Sequence, residues 1–437
     1  MESRENFTSK LGFIMSCLGS AIGLGNIWMF PWKLGQYGGA AFLIPYFIFV
    51  YLLGVTGLIG EFAFGRWMKG GSFEGIQKVF KEKKLPGGKV FSLIPAMAVG
   101  GTLIFYAVVV GWTFKYFFES VKGSFFNLNM EEFFNGFTGS NLSIFWAFVA
   151  ILVTLLIVNM GVIKGIENLN KIMMPSLFVI FLILLVRSLT LPGAMEGVAY
   201  LVKPRWGYLL KPITWVMALG QAFFTVSLNG AGMVVYGSYL KEEEDIPKAS
   251  MQIAIFDTLS ALLAAFVIIP AVFAFGLNPS AGPSLLFITM PYVFKSMPFG
   301  YAFGVLFFIS IIFAAVSSLI NMMEATSEAF LSQFKIGRIK GVAIISIIAF
   351  IIGIPLNLSM NAFGKWADFV TIYLAPLGTM VSAVTFFWIY GMDNALVEIN
   401  KGCKDPLGGW FRPLGKYVFV ISSILVLILG VIYNGIG

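Results

Sequence analysis

Apolar residues run along this chain in blocks, each bounded by short polar and basic stretches. A block of about 20 such residues crosses the hydrocarbon of a bilayer as one helix. The pattern predicts eleven spans, over residues 10–33, 39–66, 90–118, 142–160, 166–187, 211–239, 249–276, 299–332, 339–355, 364–391 and 415–435. The fold class expected is an all-α polytopic membrane protein. No linker or low-complexity run divides the blocks, so residues 1–437 read as one membrane domain.

Two blocks are spoiled halfway across. "GSAIGLGNIWMFP", Gly19–Pro31, and "GQAFFTVSLNGAGMVVYGSY", Gly220–Tyr239, place glycines, hydroxyls and an amide where an unbroken apolar helix is expected. Unwound backbone is tolerated at that depth only when buried in protein or lining a water-filled site. Two half-helices meeting at the midplane leave bare N–H groups at one end and bare C=O groups at the other. The N–H end attracts an anion such as a carboxylate. Bare carbonyls suit a hard cation such as Na⁺, and a zwitterionic amino acid with Na⁺ satisfies both ends. The breaks fall in spans 1 and 6, at corresponding places of two five-span halves, which predicts a five-plus-five inverted-repeat transporter fold. A competing reading makes Gly19 and Gly23 a helix-packing GxxxG. Gly25-Asn26, Pro31 and the matching break in span 6 weigh against packing alone.

Composition agrees with a membrane protein. Of 437 residues 58% are hydrophobic and 11% charged, against about 25% charged in soluble domains. The net charge of +8 sits in loops: Arg66 to Lys89 after span 2, Lys335, Arg338 and Lys340 after span 8, and Lys401, Lys404, Arg412 and Lys416 after span 10. Positive charge gathers on the cytoplasmic side. This predicts a cell (plasma or inner) membrane protein with its N-terminus in the cytoplasm and its C-terminus outside, and no nucleic-acid partner. The polar start "MESRENFTSK" predicts no cleavable signal peptide. Cys17 and Cys403 imply no disulfide framework. The absence of histidine, of a metal-ligand cluster and of a convergent acid pair argues against an enzyme.

"GSAIGLGNIWMFP" followed by "GQYGGAAFLIPY" resembles the first two spans of the neurotransmitter:sodium symporter family; "GQAFFTVSL…YGSY" resembles its sixth span and "AAVSSLINMMEA" its eighth. The eleven-span pattern is similar to the short bacterial members, a tyrosine-transporting one among them. The resemblance implies a sodium-coupled symporter importing an amino acid by alternating access, with two sodium ions and no chloride requirement. The first sodium would be held by Ala21, Asn26, Thr225, Asp257 and the substrate carboxylate. The second would be held by carbonyls of Gly19, Ile22 and Ala314 with the hydroxyls of Ser317 and Ser318, unless those hydroxyls are back-bonded to their own helix.

The resemblance also implies that the substrate carboxylate meets Leu24, Gly25 and Tyr106. The ammonium would meet Ala21, Phe224, Thr225 and Ser227, with Phe224 closing the site from outside. A mid-span tyrosine such as Tyr106 is as readily core. Thr102, Val226, Gly230, Ser318, Asn321 and Met322 would complete the pocket, although Met322 is also ordinary core filling. Gly230 stands where a leucine-transporting relative has phenylalanine, and the room this would free predicts an aromatic substrate, tyrosine first. Asn321 would pair with its polar group.

Glu61, a charge inside span 2, would brace the break in span 1. Asp257 supplies a negative charge where animal relatives have asparagine beside chloride; a trapped, protonated aspartate is the alternative. Met29 replaces an arginine that would pair with an acid near Asp368 at an outer gate. Arg4 and Phe7 resemble an inner gate whose acidic position reads Ser332, leaving Glu328 as the substitute. Gly165 and Pro175 bracket a weak start to span 5, read either as local unwinding or as a plain kink. The partners expected are a small amino acid and the lipid bilayer, with a monomer sufficient for transport and a dimer as an option. The rivals are a proton-coupled carrier of the same architecture and a ligand-binding membrane sensor without transport.

Overall fold

The computed structural model describes residues 5–279 and 285–435, so the expectation for Arg4 lies outside the described residues. Among the described residues, nine unbroken helices are long and apolar enough to cross a bilayer, and Lys10–Ala21 with Gly25–Gln36 makes a pair bent by 55°. A further pair, Pro212–Thr225 and Gly232–Gly237, is separated by a non-helical link. Counting each pair once gives the eleven spans.

Spans 1 and 6 are these two pairs. The others are span 2 (Ala40–Met68), 3 (Gly88–Lys122), 4 (Asn141–Asn159), 5 (Val162–Leu189), 7 (Ile246–Ala274), 8 (Gly300–Phe334), 9 (Arg338–Leu358), 10 (Met360–Asn400) and 11 (Phe411–Ile432). Four spans lie between the two broken ones, so span 6 runs through the membrane in the opposite sense to span 1.

Several helices outrun the apolar blocks that predict them. Span 1 continues past Lys33 to Gln36, and Lys33 is buried rather than placed at the water boundary. Span 10 begins before Lys365 and passes Asp393. Backbone hydrogen bonding continues a helix beyond its apolar stretch wherever the polar side chains can be housed. Short helices also occupy what the pattern reads as loops, notably the amphipathic Ser72–Glu82 after span 2, with Phe73, Ile76, Val79 and Phe80 buried.

Span 5 is wound through both of its weak points. Wider π-type turns cover Val162–Glu167, and the helix then runs through Pro175 without a break. The N-terminal segment is tied to this start. The Glu5 carboxylate accepts the Val162 N–H at 2.6 Å, and Glu167 accepts the Thr8 N–H at 2.8 Å.

The first half of span 1 packs against spans 5, 7 and 8, and the first half of span 6 against span 2. This puts both breaks in the middle of the molecule. Packing and breaking coexist in "GSAIG". A Cβ on Gly19 would fall 2.1 Å from Asn170 Oδ1 and 2.9 Å from Ser317 Cβ, so only glycine lets spans 5 and 8 approach this closely. Two residues later the helix ends.

Candidate functional site

The two breaks are held open by hydrogen bonds from other spans. Span 1 ends at Ala21 and Ile22 is extended, with ψ at 98°. The Leu24 N–H then donates to Tyr106 Oη at 3.1 Å, and the Gly23 N–H to Asn26 Oδ1 at 3.3 Å. In span 6 the chain leaves the helix at Val226. It passes through left-handed conformations at Ser227 (φ 57°) and Gly230 (φ 77°).

The freed groups of span 6 find partners on every side. Thr379 and Ser382 of span 10 donate to the carbonyls of Leu228 and Gly230, both at 3.0 Å. Asn229 Oδ1 accepts the Ala231 and Gly232 N–H groups, at 3.0 and 2.9 Å, and so caps the second half. Unpaired backbone in an apolar interior costs on the order of a few kcal/mol per group. These side chains are therefore what makes the unwound link tolerable.

Glu61 differs from its expected role. It accepts the Gly230 N–H at 3.0 Å, so the break it braces is that of span 6, not span 1.

Both broken spans converge on one carboxylate. Asp257 is fully buried in span 7; its Oδ1 accepts from Asn26 Nδ2 at 2.7 Å and its Oδ2 from Thr225 Oγ1 at 2.8 Å. No basic side chain among the described residues forms an ion pair with it. A buried carboxylate without a counter-charge is costly. The carboxylate of Asp257 and the hydroxyl of Thr225 are hard oxygen groups of the kind a hard cation takes, while Asn26 turns its amide nitrogen to the carboxylate.

A second oxygen cluster joins the first half of span 1 to span 8. Ser318 Oγ lies 3.2 Å from the carbonyls of Gly19 and Ser20 and 3.1 Å from that of Ala314. Ser227 Oγ also donates to Ser20 O at 2.9 Å, so carbonyls and hydroxyls of spans 1, 6 and 8 meet here as a set of hard oxygen groups. Ser317 follows the plainer reading: its hydroxyl turns back to Phe313 O at 2.7 Å and Ala314 O at 3.0 Å. Ile22 is the extended residue at which the helix ends, next to this cluster. The buried Asn170 of span 5 gives Nδ2 to Ile166 O at 2.8 Å and turns its Oδ1 to Gly19; the sequence reading did not single it out.

Between the clusters lies a small cavity of about 60 Å³. Of the expected residues, Ala21, Leu24, Gly25, Thr102, Tyr106, Phe224, Ser227, Ser318 and Met322 line it. The Phe224 ring covers Gly25, where a Cβ would stand 2.8 Å from two ring carbons. Ser20, Gly23, Leu228, Asn229, Thr371 and Ala375 line it as well. The sequence reading missed these six. Asparagine within the glycine-rich break was the one signal available, as a cap for the second half-helix.

Four expected pocket residues face elsewhere. A Cβ on Gly230 would point at Gly378 O, 2.2 Å away, so the missing side chain frees no room in the cavity. Val226 is buried toward Gly54 of span 2. Asn321 gives its amide to Gly232 O at 3.1 Å, so it braces the second half of span 6 rather than a substrate. Thr225 reaches Asp257, on the far side of the helix end.

The face that carries the N-terminus is closed. The Phe7 N–H donates to Tyr239 O at 3.1 Å, and the Phe7 ring meets Tyr236 and Tyr239 edge-on at 6.0 Å. Tyr239 Oη donates to Glu324 at 2.5 Å, and Arg338 holds the same carboxylate at 2.9 and 2.6 Å. Glu328 accepts the Gly71 N–H at 2.9 Å, and Ser332 bonds back to Ala329 O at 3.0 Å. On the opposite face Asp368 is exposed, and Met29 sits in a π-type turn.

A profile of the sodium:neurotransmitter symporter family matches residues 4–136 and 123–435. The chain belongs to that family. An uncharacterised sodium-dependent transporter of Bacillus subtilis strain 168, YhdH, is 36% identical over 440 residues, covering 96% of each chain. An uncharacterised sodium-dependent transporter of Methanocaldococcus jannaschii, MJ1319, is 29% identical over 99% of this chain and 92% of its own length. The crystal structure of MhsT in complex with L-phenylalanine has 34% identity and a TM-score of 0.88, covering 98% of this chain and 100% of that one. These relatives are transporters, and the chain is accordingly a multi-pass membrane transporter and not an enzyme.

Proposed function

We propose that this family member imports a zwitterionic amino acid with an aromatic side chain, coupled to sodium entry and independent of chloride. Asp257 carries the reading: a buried carboxylate shared by Asn26 of span 1 and Thr225 of span 6. It offers sodium a fixed negative charge at the meeting point of the two breaks. The second ion would bind the cluster of Gly19, Ala314 and Ser318, with Ile22 and Ser317 beside it.

The substrate carboxylate would take the Leu24 N–H from Tyr106 and complete the shell of the first sodium. Each ligand then raises the other's affinity, and by linkage the effect is reciprocal. The ammonium would face the carbonyls at the end of span 1, near Ala21 and Ser227. A cavity of about 60 Å³ holds a few waters but no aromatic ring. Binding therefore requires Phe224 and Met322 to move, which fits alternating access between a closed and an opened form.

The aromatic preference no longer rests on Gly230. Its support is the L-phenylalanine bound by MhsT, together with a lining in which Leu228 and Met322 supply apolar surface and Thr102 and Asn229 supply groups that a tyrosine hydroxyl can meet. The basic loops after spans 2, 8 and 10 support a cytoplasmic N-terminus and an external C-terminus in the cell membrane.

Radiolabelled uptake into proteoliposomes tests the whole reading. Phenylalanine and tyrosine should accumulate with an inward sodium gradient and not with choline at the same pH. Equal accumulation in both buffers would overturn sodium coupling and favour proton coupling. Binding without any flux would leave a sensor.

A further inference from the structure

We propose that an anionic phospholipid binds at the membrane face that carries the N-terminus, with an acyl chain in a groove between spans 3, 8 and 9 and its phosphate over Lys89. The groove has a volume of about 420 Å³ and is walled by Leu93 and Met97 of span 3, Ala329, Phe330 and Phe334 of span 8, and Phe73 of the short helix Ser72–Glu82. Leu93, Met97 and Phe334 are 47%, 49% and 59% exposed, so the wall opens toward the bilayer. Thr326, also in the wall, turns its hydroxyl back to Met322 O at 2.7 Å, and the exposed Gln333 is the one other uncharged polar side chain of the lining, so the wall is mostly apolar. Only hydrocarbon matches such a surface at this depth.

Polarity changes at one end. Lys89, at the start of span 3, belongs both to this groove and to an adjoining open depression of about 660 Å³ lined by Lys78 and Lys81. The burial of Phe73, Ile76, Val79 and Phe80 pins the helix Ser72–Glu82 flat, so Lys78 and Lys81, three residues apart, share its outer side. Glu74 is the acid in the same depression, leaving the lysines in excess. Lysines with long apolar stems reach the headgroup level from the edge of a membrane. A phosphate with no cationic headgroup satisfies them, whereas a choline ammonium would stand among like charges. The chemistry selects phosphatidylglycerol-like lipids over phosphatidylcholine.

Native mass spectrometry of the detergent-purified protein tests this with 1-palmitoyl-2-oleoyl phosphatidylglycerol and the matching phosphatidylcholine. Retention of the glycerol lipid should need a concentration lower by about tenfold or more, as roughly two lysine–phosphate contacts imply. Lys81→Ala with Lys89→Ala should abolish the preference. Ala329→Trp, which fills the groove and keeps every lysine, should also abolish it. If that variant fails to fold, Met97→Trp fills the groove from the opposite wall. Equal retention of the two lipids by the unmodified protein would overturn the proposal. So would a filled groove that still prefers the glycerol lipid, because surface charge alone would then account for it.

Discussion

Asn26 Nδ2 stands 2.7 Å from Asp257 Oδ1, and through that contact the break in span 1 is fixed to the middle of span 7. Thr225 Oγ1 takes the other carboxylate oxygen at 2.8 Å, so span 6 is tied to the same group. One side chain thus joins the two half-helix ends on which a zwitterion and a cation can act together. Among the described residues the carboxylate has no basic partner, which is what the proposed cation would supply.

Asp257→Asn should therefore remove the charge while keeping the shape. Uptake in gluconate buffer should fall by more than about tenfold, a loss of roughly 1.4 kcal/mol or more. Chloride should restore part of it, since the anion can stand in for the lost carboxylate. Normal uptake by the variant in gluconate would show that Asp257 does not balance the sodium charge.

Substitution at Gly230 should damage the fold and leave selectivity alone. A Cβ would sit 2.2 Å from Gly378 O, at a φ of 77°. Left-handed backbone costs a non-glycine residue about 1–3 kcal/mol, and overpacking a similar amount. Gly230→Ala should lower the melting temperature in detergent, while the ratio of tyrosine to leucine competition stays as it was. Ala375→Leu, inside the cavity lining, should shift that ratio toward the smaller substrate. A changed ratio in Gly230→Ala at unchanged stability would return this residue to the pocket.

These two positions mark what a sequence can disclose. The breaks were legible because glycine, serine and asparagine interrupt an apolar block, and lipid forbids that without a purpose. Asn26, Thr225 and Asp257 were found through family resemblance, and they do meet. The directions of Val226, Gly230 and Asn321 were not legible. An unwound link has neither the 3.6 nor the 2.0 period that tells which way a side chain points, and left-handed φ values at Ser227 and Gly230 rotate the chain further. Glu61 was placed correctly as a brace but assigned to the wrong break, because both breaks lie within reach of span 2.

Arg66 was misread in another way, as one of the basic loop residues that set orientation. It is buried, with Nε 2.8 Å from Glu398 Oε1 and Nη1 2.7 Å from Glu244 O. Counting charges by loop takes no notice of burial. Arg66→Ala leaves Glu398 with only the half-exposed Lys401, 2.9 Å from its other oxygen. The cost should be about 3 kcal/mol, the lower end of the range for breaking a buried pair. The double variant Arg66→Met with Glu398→Leu should recover part of it, because no carboxylate is then left unpaired, although the carbonyls of Glu244 and Glu398 lose their donor. Thermal melting in detergent reads both, and a single variant as stable as the parent would show the pair to be inert.

The closed face offers a native reporter of motion. Cys17 is fully buried in the first half of span 1, which Phe7 and Tyr239 hold against the second half of span 6. Opening toward the N-terminal side is expected to swing that half-helix outward, part Phe7 from Tyr239 and loosen the bond from Tyr239 to Glu324. A hydrogen bond to a charged group contributes about 1.5–3 kcal/mol, so Tyr239→Phe should raise the open population roughly tenfold or more. In a Cys403→Ser background, maleimide should label Cys17 faster in Tyr239→Phe than in the parent when potassium replaces sodium. Sodium should slow both if, as proposed, an ion held by Gly19 and Ala314 bridges spans 1 and 8 and so favours the closed form. If Cys17 stays equally unreactive in both proteins and both salts, the first half of span 1 does not swing, and access from this face takes another route.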